Sequence, residues 1–381
     1  MKFKVVAALL FLSQICLARE IHVHTGQSIQ AAVDQAKPGD RVVVDAGTYH
    51  EAGRPCPSDP TEMCAVVITS NNITLEGQYD RDHAVVIENQ GGLDAGIEAA
   101  NPKSATTECV NNPAARISGV EITGFTANGF KHSGIRLICV DSWELAFNAA
   151  NNNAFYGIFP SKVGRGRAHH NIVTGSNDTG LYVGQSHDAR ADHNLAKGNV
   201  SGFEIENSTN VRMDHNEATG NTGGILVFIL PGLSIETGAN NRVDHNWLHD
   251  NNKDNTCLNP GDDVCLVPPG SGVLVVAGDG NTIAHNVIER NQTFGIAISD
   301  FCTPFQVPTA QCFQLGFDPL PENTRVIGNV TENNGANSQF PGIPGSDLFW
   351  TGAGTGNCWS GNRASIEIPS PLPACSKGDK D

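Results

Sequence analysis

Residues 180–228 read GLYVGQSHDARADHNLAKGNVS (180–201), GFEIENSTNVRMDHNEATGNTG (202–223) and GILVF (224–228). One pattern is written twice and begun a third time. Each segment opens on Gly and a hydrophobic–variable–hydrophobic triplet, crosses a small polar turn, reaches Asp-His-Asn, and returns to Gly after a second Asn. The register extends outward. The glycine recurs at Gly134, Gly157, Gly180, Gly202 and Gly224, and past an insertion at Gly272 and Gly295. The first Asn recurs at Asn148, Asn171, Asn194, Asn216, Asn246, Asn286 and Asn329; the second column reads Asn153, Ser176, Asn199, Asn221, Asn251, Asn291 and Asn334. A fixed period of about 22 residues marks stacked repeats.

The period selects the architecture. Apolar residues alternate within each segment, as in Phe203 and Ile205 or Ile225 and Val227, which is strand periodicity. Short strands joined by tight turns can coil, each lying ~4.8 Å from its counterpart one repeat later. The expected fold is all-β: a right-handed parallel β-helix with three strands per coil. Stacked turns place Asn over Asn, so each amide can donate to the next carbonyl. The glycine column is expected to supply a positive φ at a tight corner.

Composition bounds the rest. Lys2 and Lys4, the apolar run Val5 to Ile15, and Cys16-Leu17-Ala18 read as a signal peptide (1–18) cleaved after Ala18, leaving one β-helix domain over 19–381. The remaining ten cysteines are expected to pair with their neighbours: Cys56–Cys64, Cys109–Cys139, Cys257–Cys265, Cys302–Cys312 and Cys358–Cys375. Zinc is the alternative for them, but no C-x-x-C pair exists. A net charge of −16 argues against nucleic acid and anionic membranes, and no further apolar run is long enough to span a bilayer. The expected location is secreted or periplasmic.

Along the chain, Ser28 to Lys37 has helical spacing and would cover the open end of the solenoid, with Val42 to Val44 as the first strand. This stretch, with GTYHE at 47–51, resembles the N-terminal cap of the pectin-lyase-like β-helix superfamily. That resemblance implies fold more than reaction. Regular coils are expected over about 116–228 and 241–334, with excursions at 229–240, 250–269 and 301–322, and a loose tail from Pro369. The segments GLYVGQS, NVSGFEIENS, NTGGILVF and VPPGSGVLVVAGDG resemble more closely a family of exported parallel β-helix repeat proteins, from which Ile229 departs where an acidic residue is usual. That resemblance implies export and, as partner, an exported c-type-cytochrome-like protein; it implies no reaction.

Alternation points positions Gly+2 and Gly+4 outward. Read down the coils they are Arg136/Ile138, Phe159/Ser161, Tyr182/Gly184, Glu204/Glu206, Leu226/Phe228, Leu274/Val276 and Ala297/Ser299. One end carries chemistry and the other is apolar. The functional reading is a polysaccharide groove used by a lyase or epimerase on uronate-containing glycans. In it Glu204 or Glu206 acts as base or cation ligand, Tyr182 as proton donor or aromatic platform, and Arg136 or Lys162 binds the uronate carboxylate or neutralises it. For the charged positions the competing reading is a solvated strand with ordinary charges; for the whole chain it is a non-catalytic binding or scaffold protein that works with an exported partner through the apolar end of this face. The apolar end is expected to be covered by the insertion at 230–239, or else to be a partner surface.

A second outward face carries Asp192, Asp214 and Asp244, with Arg190, Arg212 and Arg242 two residues before them. This reads as a self-neutralising Arg/Asp stack, with calcium held by the three aspartates as the alternative. The adjoining column His170, His193, His215, His245 and His285 is expected to stack, since parallel imidazoles do not converge on a metal. Asp250-x-Asn252-x-Asp254 begins like a calcium loop but lacks its Gly and distal Glu. The glycosylation triplets at Asn199 and Asn291 fall in the inward ladder, where a glycan would break the fold. The GHG, R-x-P-x-x-R and DPH segments of β-helix hydrolases, lyases and epimerases are absent.

Overall fold

A computed structural model describes residues 18–78 and 84–376. The expected signal peptide, Ala18 excepted, lies outside the described residues. The chain winds through three long sheets of 12, 10 and 12 strands. Neighbours in each sheet pair in parallel across one coil; among the described residues only the two-residue strand Arg54–Pro55 runs antiparallel, against Met63–Ile68. The main apolar core runs from Val23 to Leu372 between the sheets.

The register is the one written in the sequence. Leu181, Phe203, Ile225, Val273, Ile296 and Leu348 are aligned on the third sheet and fully buried. The two Asn columns form ladders inside the corners. Along Asn148, Asn171, Asn194, Asn216, Asn246, Asn286, Asn329 and Asn362, each Nδ2 donates to the next Oδ1 at 2.9–3.2 Å. The second ladder runs from Asn199 to Asn334 and ends on Asp347. Asn199 and Asn291 lie fully buried within it.

The corner chemistry differs from expectation. The opening glycines do not take positive φ; that conformation falls on the residue before each ladder Asn, with φ of 54–57° at His170, His193, His215, His245 and His285. The glycines answer a packing need instead. A Cβ on Gly202 would sit 2.6 Å from the carbonyl oxygen of Gly224 in the next coil. Gly202→Ala is therefore expected to cost about 1–3 kcal/mol through a backbone shift, read as a lower urea midpoint at unchanged m-value.

The first coil also differs. A strand at Glu20–Val23 precedes the expected first strand and pairs with Arg41–Val44. The helix spans only Ile29–Val33, capped by Ser28. Its Gln30 amide bonds both the N–H and the carbonyl of Val67, next to the end of the third sheet. All five neighbour disulfides are formed. The tail is not loose as far as Ser376: Cys375 is tied to Cys358, and Trp359 N–H donates to Pro373 O. Among the described residues no helix is long and apolar enough to cross a membrane.

Candidate functional site

The third sheet presents its outer face to a cavity of about 530 Å³. Its floor is the Gly+2 column, in register Glu204–Leu226–Leu274–Ala297–Phe349. Three excursions wall it. Val264 and Val267, from the excursion that carries the Cys257–Cys265 disulfide, pack on Leu226 and Val200. Phe305, from the excursion after Phe301, stacks on Phe301 in one cluster with Val276. Phe340 and Ile343, from a further excursion that the repeat pattern does not announce, pack on Phe294, Ala297 and Phe349. The insertion at 230–239 is therefore not the cover over the apolar end. Leu230 reaches the lining, but Ser234 bonds away from it, to Gln185 and Glu108.

One end of the cavity is acidic. Glu204, Glu206 and Asp178 meet there with Tyr156 and His132, and Asp262 and Asp263 approach from the excursion. Burial, with Asp178 and Glu206 adding repulsion, pushes the Glu204 carboxyl well above the ordinary range. The Thr179 and Ser201 hydroxyls beside it oppose this only in part; Ser201 Oγ is buried without a well-formed hydrogen bond. Burial also lifts Glu206 to about 7 and Asp178 to about 6. The Tyr182 phenol is set against Glu206 and that of Tyr156 against Asp178, and burial raises both phenols. His132 donates to or accepts from Ser133 Oγ at 2.6 Å; burial and the Arg136 charge lower it to about 4, so it is neutral near pH 7. Among the described residues the lining contains no Lys or Arg.

The candidates read from the sequence separate into three groups. Glu204 and Glu206 line the cavity. Tyr182 stands behind it, 3% exposed, its ring stacked on Phe159 at 4.5 Å. Arg136 and Lys162 are elsewhere. Arg136 is buried between Glu98 and Glu62, 2.6 Å from the latter, with Glu98 wholly buried. This ion pair leaves its guanidinium no free edge for a uronate. Lys162 pairs with Glu108 at 2.9 Å and lines a separate cavity of about 340 Å³ with Arg116, Arg165 and His187.

Asp178, Tyr156 and His132 were not foreseen. Continuing the alternation two residues upstream of each glycine gives His132, Phe155 and Asp178, so two of them were within reach of the pattern. Tyr156 has inward parity and is turned out by the corner.

On the first sheet the aspartates are fully buried and taken. Arg167 holds Asp192, Arg190 holds Asp214 and Arg212 holds Asp244, each through two hydrogen bonds to the next coil. The following histidine Nδ1 adds a contact at 2.8 Å in each case. Burial opposes ionisation and these partners outweigh it, holding Asp192 at about 2 and lowering Asp214 and Asp244. This geometry carries the self-neutralising reading and leaves calcium no free carboxylate edge. The histidines stack at 5.1 Å from His170 to His215. The metal-like cluster of Cys56, Cys64 and Glu98 contains a disulfide, whose sulfurs are not thiolates.

The family described as a right-handed beta helix region matches residues 109–259. No curated protein matches the sequence. The A-module of mannuronan C-5 epimerase AlgE6 from Azotobacter vinelandii is similar in structure, with a TM-score of 0.61 at 16% identity over 91% of this chain and 93% of that one. DFA-IIIase from Arthrobacter chlorophenolicus A6, without its lid and in complex with GF2, has a TM-score of 0.55 at 15% identity, covering 93% and 90%. The periplasmic alginate epimerase AlgG has a TM-score of 0.55 at 14% identity, covering 90% and 73%. The ladders, the matched region and these solved folds agree on one architecture: the chain folds as a right-handed parallel β-helix.

Proposed function

We propose that this is an exported carbohydrate-active β-helix protein that performs acid–base chemistry on a neutral glycan, with Glu204 as the acid and Glu206 as the base. One observation carries the reading: two neighbouring carboxyls with raised pKa values share a cavity with Asp178 and the Tyr156 phenol, and among the described residues no Lys or Arg lines it. A carboxyl held protonated near neutrality can donate to a glycosidic oxygen, while one near 7 can take a proton from water. Adjacent outward residues of a strand stand ~6.5–7 Å apart, which suits a pair working on either side of one bond. Similar folds serve enzymes of mannuronan and alginate, which supports a carbohydrate ligand. The charge of this cavity turns the reading away from uronates. An anionic sugar would meet five carboxyl groups and no Lys or Arg, the cation needed to acidify its α-proton being absent from the lining. The five disulfides support export to an oxidising compartment.

The non-catalytic alternative requires Leu226 to Val276 to face water and the carboxyls to be unperturbed. Leu226 is buried under Val267, and both glutamates are shifted. The test is incubation of the mature protein with neutral and uronate oligosaccharides, followed by reducing-end release and by absorbance near 232 nm. New reducing ends from neutral glycans, lost in Glu204→Gln, are expected. Unsaturated product from uronates with no reducing ends from neutral glycans would overturn the neutral-glycan reading.

A further inference from the structure

The cavity is larger than its acidic end and changes character along its length. Beyond Glu204 the floor continues for four coils to Phe349, about 19 Å at the strand spacing. Every residue of the Gly+2 floor after Glu204 is apolar, and so are the facing groups Val267, Phe305 and Phe340; the hydroxyls of Ser299 and Thr303, also in the lining, donate to Asp300. The titratable groups of the lining, His132, Asp178, Glu204, Glu206, Asp262 and Asp263, all belong to the other end or the excursion above it. No described segment of the chain fills the apolar part. Three separate excursions converge to roof it, so it is walled rather than an open sheet face.

We infer that the ligand is amphipathic: a neutral glycosyl head joined to an apolar aglycone, the head at Glu204 and Glu206 and the aglycone along Leu226, Leu274 and Phe349. The head group rests on the carbohydrate reading above; the apolar tail rests on the walls. A plain polysaccharide would leave its hydroxyls without partners over the apolar floor, at the cost of an unpaired buried polar group for each. An alkyl or aryl aglycone removes that apolar surface from water instead. The charge pattern sets the polarity of docking, because protonated and ionised carboxyls at one end can both donate to and accept from a polyol.

The experiment is a chain-length series, from methyl to octyl, of alkyl glycosides sharing one neutral head, kept below micelle formation. Dissociation constants come from calorimetry on the intact mature protein. Aryl glycosides, n-alkyl alcohols and n-alkylammonium ions serve as comparison arms, and turnover is followed in parallel. The expected result is a Kd that tightens about fourfold per methylene, with a flat profile in Leu274→Asn. The aryl arm decides which apolar aglycone fits better. No dependence on chain length, with short neutral glycosides still turned over, would overturn the aglycone site and leave the proposed reaction standing. Alkylammonium ions or alcohols binding as tightly as glycosides of equal length, with no turnover of any glycoside, would overturn the glycosyl head and the carbohydrate reading with it.

Discussion

Glu206→Gln is expected to make the protein more stable above pH 7 and to lower turnover by about 10²–10⁴-fold. Both effects follow from one carboxyl. In the fold Glu206 titrates at about 7 against an ordinary 4.5, because burial disfavours its charge. A group whose pKa is raised on folding binds its proton more tightly in the native state. Its favourable contribution is complete below the unfolded value, and it is lost as pH rises from about 4.5 through about 7. At one pKa unit per 1.36 kcal/mol the loss is at most about 3 kcal/mol, less because Glu206 is only partly buried. Glutamine has no charge to desolvate, so the wild type and the variant should unfold alike near pH 4 and diverge up to pH 8. Urea midpoints across that range check the sign; a variant less stable than wild type at pH 8 would contradict the burial argument.

Activity should move the other way. As the proposed base, Glu206 would work once it has lost its proton, so the rate should rise through about pH 7. It should fall at higher pH when the more strongly raised Glu204 ionises. The two limbs belong to the pair, which titrates as a unit with Asp178 nearby. A site that loses stability in the pH range where it gains activity is the behaviour expected of function held against folding. A pH–rate profile unchanged in Glu206→Gln would remove it from the reaction.

The second large effect is structural. Asn216→Ala is expected to cost about 4–6 kcal/mol, beyond what most single substitutions do. Asn216 is 2% exposed and is a relay. Its Nδ2 donates to Ala191 O and Asn246 Oδ1, and its Oδ1 accepts from both the N–H and the side chain of Asn194. Alanine leaves two or three of these groups without a full set of partners at a dry corner, at about 1–3 kcal/mol each. It also removes atoms from a packed core. The loss should appear as a lower urea midpoint and as faster hydrogen exchange at Asn194, whose amide proton is freed. Asn362, at the end of the same ladder, accepts from Asn329 and donates back to Val326 O in the preceding coil, and it should tolerate alanine better.

The repeat carried the architecture because a solenoid makes tertiary structure almost local. The strand at 202–206 pairs with those one period away on each side, so a period in the sequence is a contact in space. The ladders, the buried face of the third sheet, the Arg/Asp stack and the histidine column follow from that single rule. The glycine column followed it in position but not in cause, since contact with the next coil, and not backbone torsion, excludes a side chain there.

What lay beyond the period was decided by tertiary structure. Alternation says that Glu204 and Leu226 leave the core; it cannot say whether they meet water. They meet the excursions at 250–269, 301–322 and the one ending before Ser346, whose paths obey no repeat. Burial in the walled cavity raises the carboxyl pKa values, which turns a pair of ordinary glutamates into a candidate acid–base site. Arg136 shows the converse: its outward position was legible, but Glu62, 74 residues away in sequence, and Glu98 claim it. The sequence by itself determined which side chains leave the barrel, because strand geometry is periodic. Only the folded excursions decided which of them share a dry cavity, because burial and charge depend on neighbours that no local pattern names.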